Sequence, residues 1–292
     1  TLCAAGVAFL AAVATLRELR RRGHFAATAE PDLRGYLDLV ALATVCDVMP
    51  LTGLNRALVT QGLKVMARRD RAGIAALLEV AQAKDAPSAH TLGFLLGPRI
   101  NASGRIHESD LGLRLLVEDD PVEARAMAET LDAVNKRRQE VEADVLTAAF
   151  EAAQTQADRG HPVILVSGEG WHPGVVGIVA GRIKEKFNRP ACVAGLASGL
   201  AKGSGRSVPG VELGAAIIAA RQAGLLETGG GHAMAAGFSF LAGRAAEVHA
   251  FLDERLSHAA GLPSAADLPV EGSLAVPAAT VAMAQEVSRL AP

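Results

Sequence analysis

Cysteine is scarce in this chain: three thiols, Cys3, Cys46 and Cys192, lie far apart among 292 residues. Their surroundings are apolar and no Cys-x-x-Cys spacing occurs, which excludes a disulfide framework and a cysteine-ligated zinc site and fits a reducing, cytoplasmic setting. Aromatic residues make up 3% of the chain and Trp171 is its one tryptophan, so any stacking on a base falls to very few side chains. Neither charge is in excess, with 29 Lys and Arg against 31 Asp and Glu, a formal net charge of −2. A nucleic-acid partner would therefore have to be held by a local basic groove, because the overall field offers it no attraction. The apolar run Leu2–Leu16 falls short of the roughly 20 residues that a membrane span needs, and its basic residues, Arg17 and Arg20 to Arg22, follow it, which excludes a secretory signal. That run reads as an alanine-rich buried helix. Asp-x-Asp and paired histidines are also missing. Any metal site of the phosphoryl-transfer kind is then a fragment, since two cations need several carboxylates or imidazoles.

What is present is the composition of a globular chain of about two domains, with 50% apolar and 21% charged residues. Tyr36 to Val45 is almost wholly apolar and suits a buried helix or strand, ended by Pro50, with the Asp47 carboxylate emerging at its end. Asn55 is placed to cap a helix running to Met66, and Ala72 to Ala83 reads as an amphipathic helix with Ile74, Leu77, Leu78 and Val80 toward the core. Residues 97–105, Gly-Pro-Arg-Ile-Asn-Ala-Ser-Gly-Arg, read as a loop of turn formers carrying Arg99, Asn101 and Arg105. Asp119-Asp120-Pro121 starts one long helix with no breaker before Gly160, striped by Met127, Leu131, Val134, Val141 and Val145. Its opposite face is charged, and the domain boundary is placed inside it. After Pro162 the pattern is α/β, with strands at 163–166, 191–194 and 235–240 and helices at 175–187 and 213–220. Ser257 to Pro269 reads as a linker.

Two glycine-rich segments carry the chemistry. In residues 229–237, Gly-Gly-Gly-His-Ala-Met-Ala-Ala-Gly, bare backbone at Gly230 and Gly231 lets an anion approach beside the His232 imidazole. In residues 203–207, Gly-Ser-Gly-Arg-Ser, the Ser204 hydroxyl and the Arg206 guanidinium flank Gly205, a set that holds phosphate without overall positive charge. Both are expected as loops at strand ends, where ligands of open α/β sheets bind. Trp171 and His172 share that rim and offer a base or strand contact, although Trp171 in the core is the simpler reading. The competing readings are a solvated helix-end carboxylate for Asp47, a tight turn for Ser204 and Arg206, and a helix-start histidine for His232. His24, His90, His107, His161, His249 and His258 have no partners in spacing and are taken as surface or packing residues.

Taken together and in order, residues 43–51 with Asn55-Arg56, then 97–105, 171–181, 203–207 and 229–237 resemble the RecJ family of the DHH phosphoesterase superfamily. The resemblance implies a 5′ to 3′ exonuclease on single-stranded DNA in recombination and repair, using Mn²⁺ or Mg²⁺ to activate water and neutralise phosphate charge. It places Asp47 in the last metal-binding motif and Arg99, Asn101 and Arg105 facing the scissile phosphate, with Asp47, Arg105 and His232 as catalytic groups. Ser204, Gly205, Arg206, Gly230, Gly231 and His232 hold substrate phosphates from a DHH-associated domain across a cleft. The implied architecture is the C-terminal part of a DHH catalytic domain over 1–118, a connector helix over 119–160, a DHH-associated α/β domain over 161–257 and the start of an oligonucleotide-binding (OB-type) β-barrel over 258–292. The family's Asp-x-Asp and Asp-His-His motifs would lie upstream, so the chain is read as cut at both ends and short of metal ligands. A monomer suffices, with single-stranded DNA as partner, a single-strand-binding protein and a helicase as associates, and no membrane. Two other readings stay open: a non-catalytic single-strand-binding module, and a related phosphodiesterase of short oligonucleotides or cyclic dinucleotides.

Overall fold

The computed structural model describes residues 1–257, 270 and 272–292, and the chain divides into two compact units, Thr1–Asn135 with Glu271–Pro292, and Lys136–Val270. The first unit is helical, built from α1 (Ala4–Arg21), α2 (Leu37–Cys46), α3 (Gly53–Met66), α4 (Ala72–Val80), α5 (Gly97–Ile106), α6 (Leu111–Val117) and the beginning of α7 (Pro121–Asp158). Leu42, Val59, Leu63, Ile74, Leu77, Leu92, Leu96, Leu115 and Leu131 form its core. α2 meets α3 at Gly62, where a Cβ would stand 2.2 Å from the Leu37 carbonyl oxygen, so only glycine permits that approach. The buried Asp38 carboxylate on α2 is satisfied by Arg71, 2.9 Å away, which ties α2 to the start of α4.

Two expectations for this unit need correction. α1 forms, yet among the described residues only its Gly6 is buried, while Val7, Leu10 and Val13 are exposed. Asn55 does not cap α3, because Thr52 occupies the cap position. The Asn55 amide instead turns inward and donates to the carbonyls of Thr1 and Pro50, each at 3.0 Å.

α7 begins as its sequence dictates. Asp120 Oδ1 accepts from the N–H groups of Val122 and Glu123 at 2.7 and 3.1 Å, and Pro121, which has no N–H to leave unsatisfied, opens the helix. Its 38 residues extend about 57 Å at 1.5 Å per residue. Ala124, Ala128 and Leu131 join the core of the first unit, and Val145, Ala149 and Ala153 join that of the second. The expected stripe is thus carried largely by alanines, with Met127 and Val141 only packed at its margins.

The second unit contains β1 (Ile164–Glu169), α8 (Pro173–Phe187), β2 (Ala191–Ala197), β3 (Leu200–Arg206), α9 (Leu213–Gln222), β4 (Thr228–His232), β5 (Ala235–Leu241) and α10 (Ala245–Arg255). Its five-stranded sheet has the order β1-β2-β3-β5-β4, with β1 and β2 parallel and the other pairs antiparallel. One face packs Cys192, Ala201, Phe238 and Phe240 against Leu213 and Ile217 of α9 and Val248 and Leu252 of α10. The other buries Ile164, Val166, Ala191 and Val193 beneath α8 and the second half of α7. Residues 203–206 lie in β3, and residues 229–237 run through β4, a two-residue turn and the start of β5, which corrects the placement of these segments in loops at strand ends.

The expected linker lies almost wholly outside the described residues, as do all positions from 258 to 269. Where a barrel was expected to begin, the described residues carry a short 3₁₀ turn, Val276–Ala278, and a helix, α11 (Val281–Ser288), and no strand. Thr280 caps α11 by accepting from the Met283 N–H at 3.2 Å.

Candidate nucleic-acid interface

Strand register assembles the site in the second unit. Antiparallel pairing sets Ser204 opposite Gly237 and Gly237 opposite Gly230, while Arg206 faces Ala235 and Ala235 faces His232. Residues directly opposite point to the same side of a sheet, and alternation along β3 puts Lys202, Ser204 and Arg206 together on one face. That face therefore carries two adjacent cross-strand rows, Ser204–Gly237–Gly230 and Arg206–Ala235–His232. A third row, Lys202–Ser239–Thr228, continues it, with the Thr228 and Ser239 hydroxyls 2.7 Å apart.

The glycines divide into two kinds. A Cβ built on Gly230 or Gly237 would meet nothing within 4 Å, so these positions leave a bare lane of main chain on the exposed face. Gly203 and Gly205 point the other way: a Cβ on Gly205 would come 2.7 Å from the Leu213 side chain and 3.1 Å from Cys192 Sγ. The small size of Gly205 serves packing under α9, and that of Gly203 makes room for the Phe238 ring, 2.6 Å from where its Cβ would stand. Gly205 is buried and cannot present itself to a phosphate, which removes it from the expected contact set. Gly231 is also structural in its Cβ direction, which runs into Ala235 O at 2.3 Å.

Arg206 is half-buried, donates from Nη1 to its neighbouring Gly205 carbonyl at 2.9 Å and makes no ion pair among the described residues. α8 lies over this same face at its β3 side, since Ser204 and Arg206 pair with Val193 and Ala191 beneath that helix and a Cβ on Gly177 would lie 3.1 Å from Arg206 Nη2 and 3.4 Å from Ser204 Oγ. His232 is exposed at the end of β4, and Leu213 at the start of α9 donates its N–H to the adjoining Ala233 carbonyl at 3.2 Å. The arrangement offers a guanidinium, a hydroxyl, an imidazole and an ammonium around a glycine floor, a donor set suited to phosphate oxygens.

Trp171 and His172 have structural duties. A Cβ on Gly168 would stand 2.2 Å from the indole, and one on Gly195 would stand 2.0 Å from the Trp171 carbonyl oxygen, so one glycine makes room for the ring and the other for its main chain, and Trp171 packs against the β1–α8 core. His172 caps α8, its Nδ1 accepting from the Gly174 N–H at 3.0 Å.

In the first unit the segment 97–105 is helix α5, not a loop, with Pro98 in its first turn and a π-helical turn over Thr91–Leu96 before it. Asn101 and Arg105, one turn apart on α5, are both exposed. Arg99 is committed elsewhere: it donates to Asp132 of α7 at 2.9 Å and to the Leu95 carbonyl at 2.7 Å, and both members of the ion pair are nearly buried, at 15% and 14% side-chain exposure. It braces the helices and is not available as a phosphate clamp. Gly97 lets α5 start against the end of α2, since a Cβ there would approach Cys46 Sγ to 2.5 Å. That contact sets the neighbouring Asp47 beside the beginning of α5.

Asp47 is exposed and follows directly on α2, where the helix dipole is negative and a carboxylate is unfavourable. The Thr44 carbonyl accepts from the Met49 N–H at 3.1 Å, and Val48, with φ of 53° and 87% exposure, takes the left-handed position that usually falls to glycine. A β-branched residue there is strained. Val48→Gly is therefore expected to stabilise the chain by about 1 kcal/mol. An unchanged or lower midpoint in urea unfolding would contradict that strain. As a metal site Asp47 supplies one hard oxygen donor, and it joins no group of three or more ligating side chains among the described residues. The residues present do not by themselves fit a two-cation centre.

Residues 160–258 match the DHHA1 domain family. The chain is 44% identical over 255 residues to the single-stranded-DNA-specific exonuclease RecJ of Dickeya dadantii, covering 83% of this chain and 44% of that protein. It is 37% identical over 256 residues to the Bacillus subtilis protein of the same name, covering 87% of this chain and 30% of the relative. It thus spans less than half the length of either. The crystal structure of RecJ from Thermus thermophilus in complex with Mg²⁺ superposes with a TM-score of 0.71 at 34% identity, over 83% of this chain and 37% of that one. A manganese-bound exonuclease RecJ gives 0.68 at 35% identity, over 83% and 58%. By these matches the chain belongs to the RecJ family, and residues 160–258 are its DHHA1 domain.

Proposed function

We propose that this chain is part of a divalent-metal-dependent exonuclease that degrades single-stranded DNA from the 5′ end in recombination and repair, and that its sheet unit is the part that grips the strand. One observation carries this reading: the register that unites Ser204, Arg206, Gly230, Gly237 and His232 on a single face of the sheet, where Gly237 and His232 are exposed and the other three half-buried. In it, the Arg206 guanidinium forks onto one phosphate and Ser204 and His232 hydrogen-bond phosphate oxygens alongside. Gly230 and Gly237 let the backbone of the strand approach the sheet, and Lys202 adds charge at the margin. Asn101 and Arg105 on α5 bind phosphate in the helical unit. Mn²⁺ or Mg²⁺, when bound, supplies charge neutralisation at the cleaved phosphate, and Asp47 is the one ligand this chain contributes. The expected partition also belongs to this reading, with a DHH part over 1–118 and a connector over 119–160. So do a monomeric state and the delivery of substrate by a single-strand-binding protein or a helicase.

The purified 292-residue chain is expected to bind a fluorescent oligothymidylate in chelator, to bind it more weakly as salt rises, and to release no nucleotides when Mn²⁺ is added. Failure to bind, or equal affinity for blunt duplex, would remove the strand-gripping role. Mn²⁺-dependent nucleotide release abolished by Asp47→Ala would overturn the shortage of ligands.

A further inference from the structure

Two histidines without partners in spacing come together in the second unit. His161, just ahead of β1, places its Nδ1 2.5 Å from Asp253 Oδ2, and His249 Nε2 lies 3.6 Å from Asp253 Oδ1. His249 and Asp253 stand one turn apart on α10, and the two imidazoles stack with centroids 4.7 Å apart. One ligating atom from each of the three residues falls within 4.8 Å of the others. The Val163 main chain closes the group, its carbonyl 2.9 Å from His249 Nε2 and its N–H 3.3 Å from Asp253 Oδ1. Arg189 fixes the backbone by donating to the His161 carbonyl at 2.8 Å and the Ala157 carbonyl at 3.1 Å.

We infer that His161, His249 and Asp253 form a binding site for a single Zn²⁺-class cation, separate from any magnesium or manganese at Asp47. Two imidazole nitrogens and one carboxylate are a borderline-soft set that suits Zn²⁺ with water in the fourth position and disfavours Mg²⁺, which prefers oxygen throughout. Side-chain exposures of 32%, 15% and 19% leave an entry path while excluding bulk water from two of the three groups. Tetrahedral coordination with bonds of about 2.0–2.1 Å sets ligand atoms roughly 3.3 Å apart. His161 and Asp253 must therefore open slightly and the two imidazoles converge. Rotation about histidine χ2, a broad torsion, lets the stacked rings turn their lone pairs to one point. The cation takes the place of the proton between His161 and Asp253, and His249 moves its own proton to Nδ1, giving up its bond to Val163 O. The bound ion would clamp α10 to the segment entering β1, so its affinity appears as stability.

The test uses the whole 292-residue chain, stripped with chelator and titrated with Zn²⁺ by calorimetry, with thermal melts in parallel. One equivalent is expected to bind and raise the midpoint, and a large excess of Mg²⁺ should not compete. His249→Gln, which keeps an N–H for Val163 O, and Asp253→Asn should each weaken Zn²⁺ by more than about tenfold and abolish the rise. Co²⁺ added to the unaltered chain should give the intense visible bands of a tetrahedral nitrogen–oxygen site, a readout independent of whether the variants fold. No saturable binding of Zn²⁺, unchanged affinity in both variants, displacement by Mg²⁺ or an octahedral Co²⁺ spectrum would each overturn the site.

Discussion

Gly231→Ala is expected to cost about 3 kcal/mol and lower the melting temperature of the sheet unit by roughly 10 °C, while the same change one residue earlier leaves folding intact. A methyl on Gly231 would stand 2.3 Å from the Ala235 carbonyl oxygen and 2.6 Å from Ala236 Cα, both main-chain atoms of the paired strand β5 that cannot swing aside. Gly230 has open space in its Cβ direction. Alanine or valine there should be neutral to slightly stabilising, because glycine in a strand interior wastes conformational freedom by about 0.5–1 kcal/mol. The functional effect should run the other way. Gly230→Val puts two methyls on the lane where a phosphate must come down, and should weaken single-stranded DNA about tenfold with its stability preserved. Melting curves and oligothymidylate anisotropy on the two variants separate the roles. If Gly230→Val folds and binds like the parent, the bare lane is not the binding surface.

Arg206→Ala should weaken single-stranded DNA by about tenfold to a hundredfold, the worth of a charge-assisted bond of roughly 1.5–3 kcal/mol. It should also flatten the plot of log affinity against log salt by about 0.7, the slope lost with one phosphate contact on a single strand. Arg206→Lys keeps the charge and loses the fork, so it should fall between the two. Arg189, whose guanidinium is engaged by the Ala157 and His161 carbonyls, is the control: Arg189→Ala should lower stability and leave the salt slope alone. Parental affinity and slope in Arg206→Ala would mean that this guanidinium touches no phosphate.

How much of this could be read along the chain varies with the kind of force that shapes each element. α7 was legible because its cap and first proline are local, and the helix and strand positions of α8, β2, α9 and β5 follow from apolar runs bounded by breakers. β3 and β4 were not. Leu-Ala-Lys-Gly-Ser-Gly-Arg and Thr-Gly-Gly-Gly-His have almost no strand propensity, and they extend only because β2 and β5 supply partners on the ladder. Residues 97–105 carry the letters of a turn, yet burial of Gly97, Ala102 and Ser103 makes them a helix, which also turns Arg99 toward Asp132. The proposal of Ser204, Arg206 and His232 as phosphate donors starts from residue type. Their separation from the packing glycines Gly203 and Gly205 needed the register. His161, His249 and Asp253 gave no sequence signal as a trio, since only the His249–Asp253 spacing is local and the third member arrives from the far end of the sheet unit's sequence.

The burial of the cysteines has a consequence for their reactivity. Cys192 is sealed in β2 and its burial pushes the thiol up to about 12; Cys46, half-buried at the end of α2, is pushed up to about 11 by desolvation and then by the Asp47 charge; Cys3 is buried ahead of α1. Only a thiolate attacks an alkylating reagent, so near neutral pH both the Cys192 and Cys46 thiols react slowly, and the sealed Cys192 reacts only as fast as its surroundings open. Modification of Cys192 therefore times the opening of the sheet, whereas the half-buried Cys46 is slowed by its tightly held proton without waiting for the helices to part.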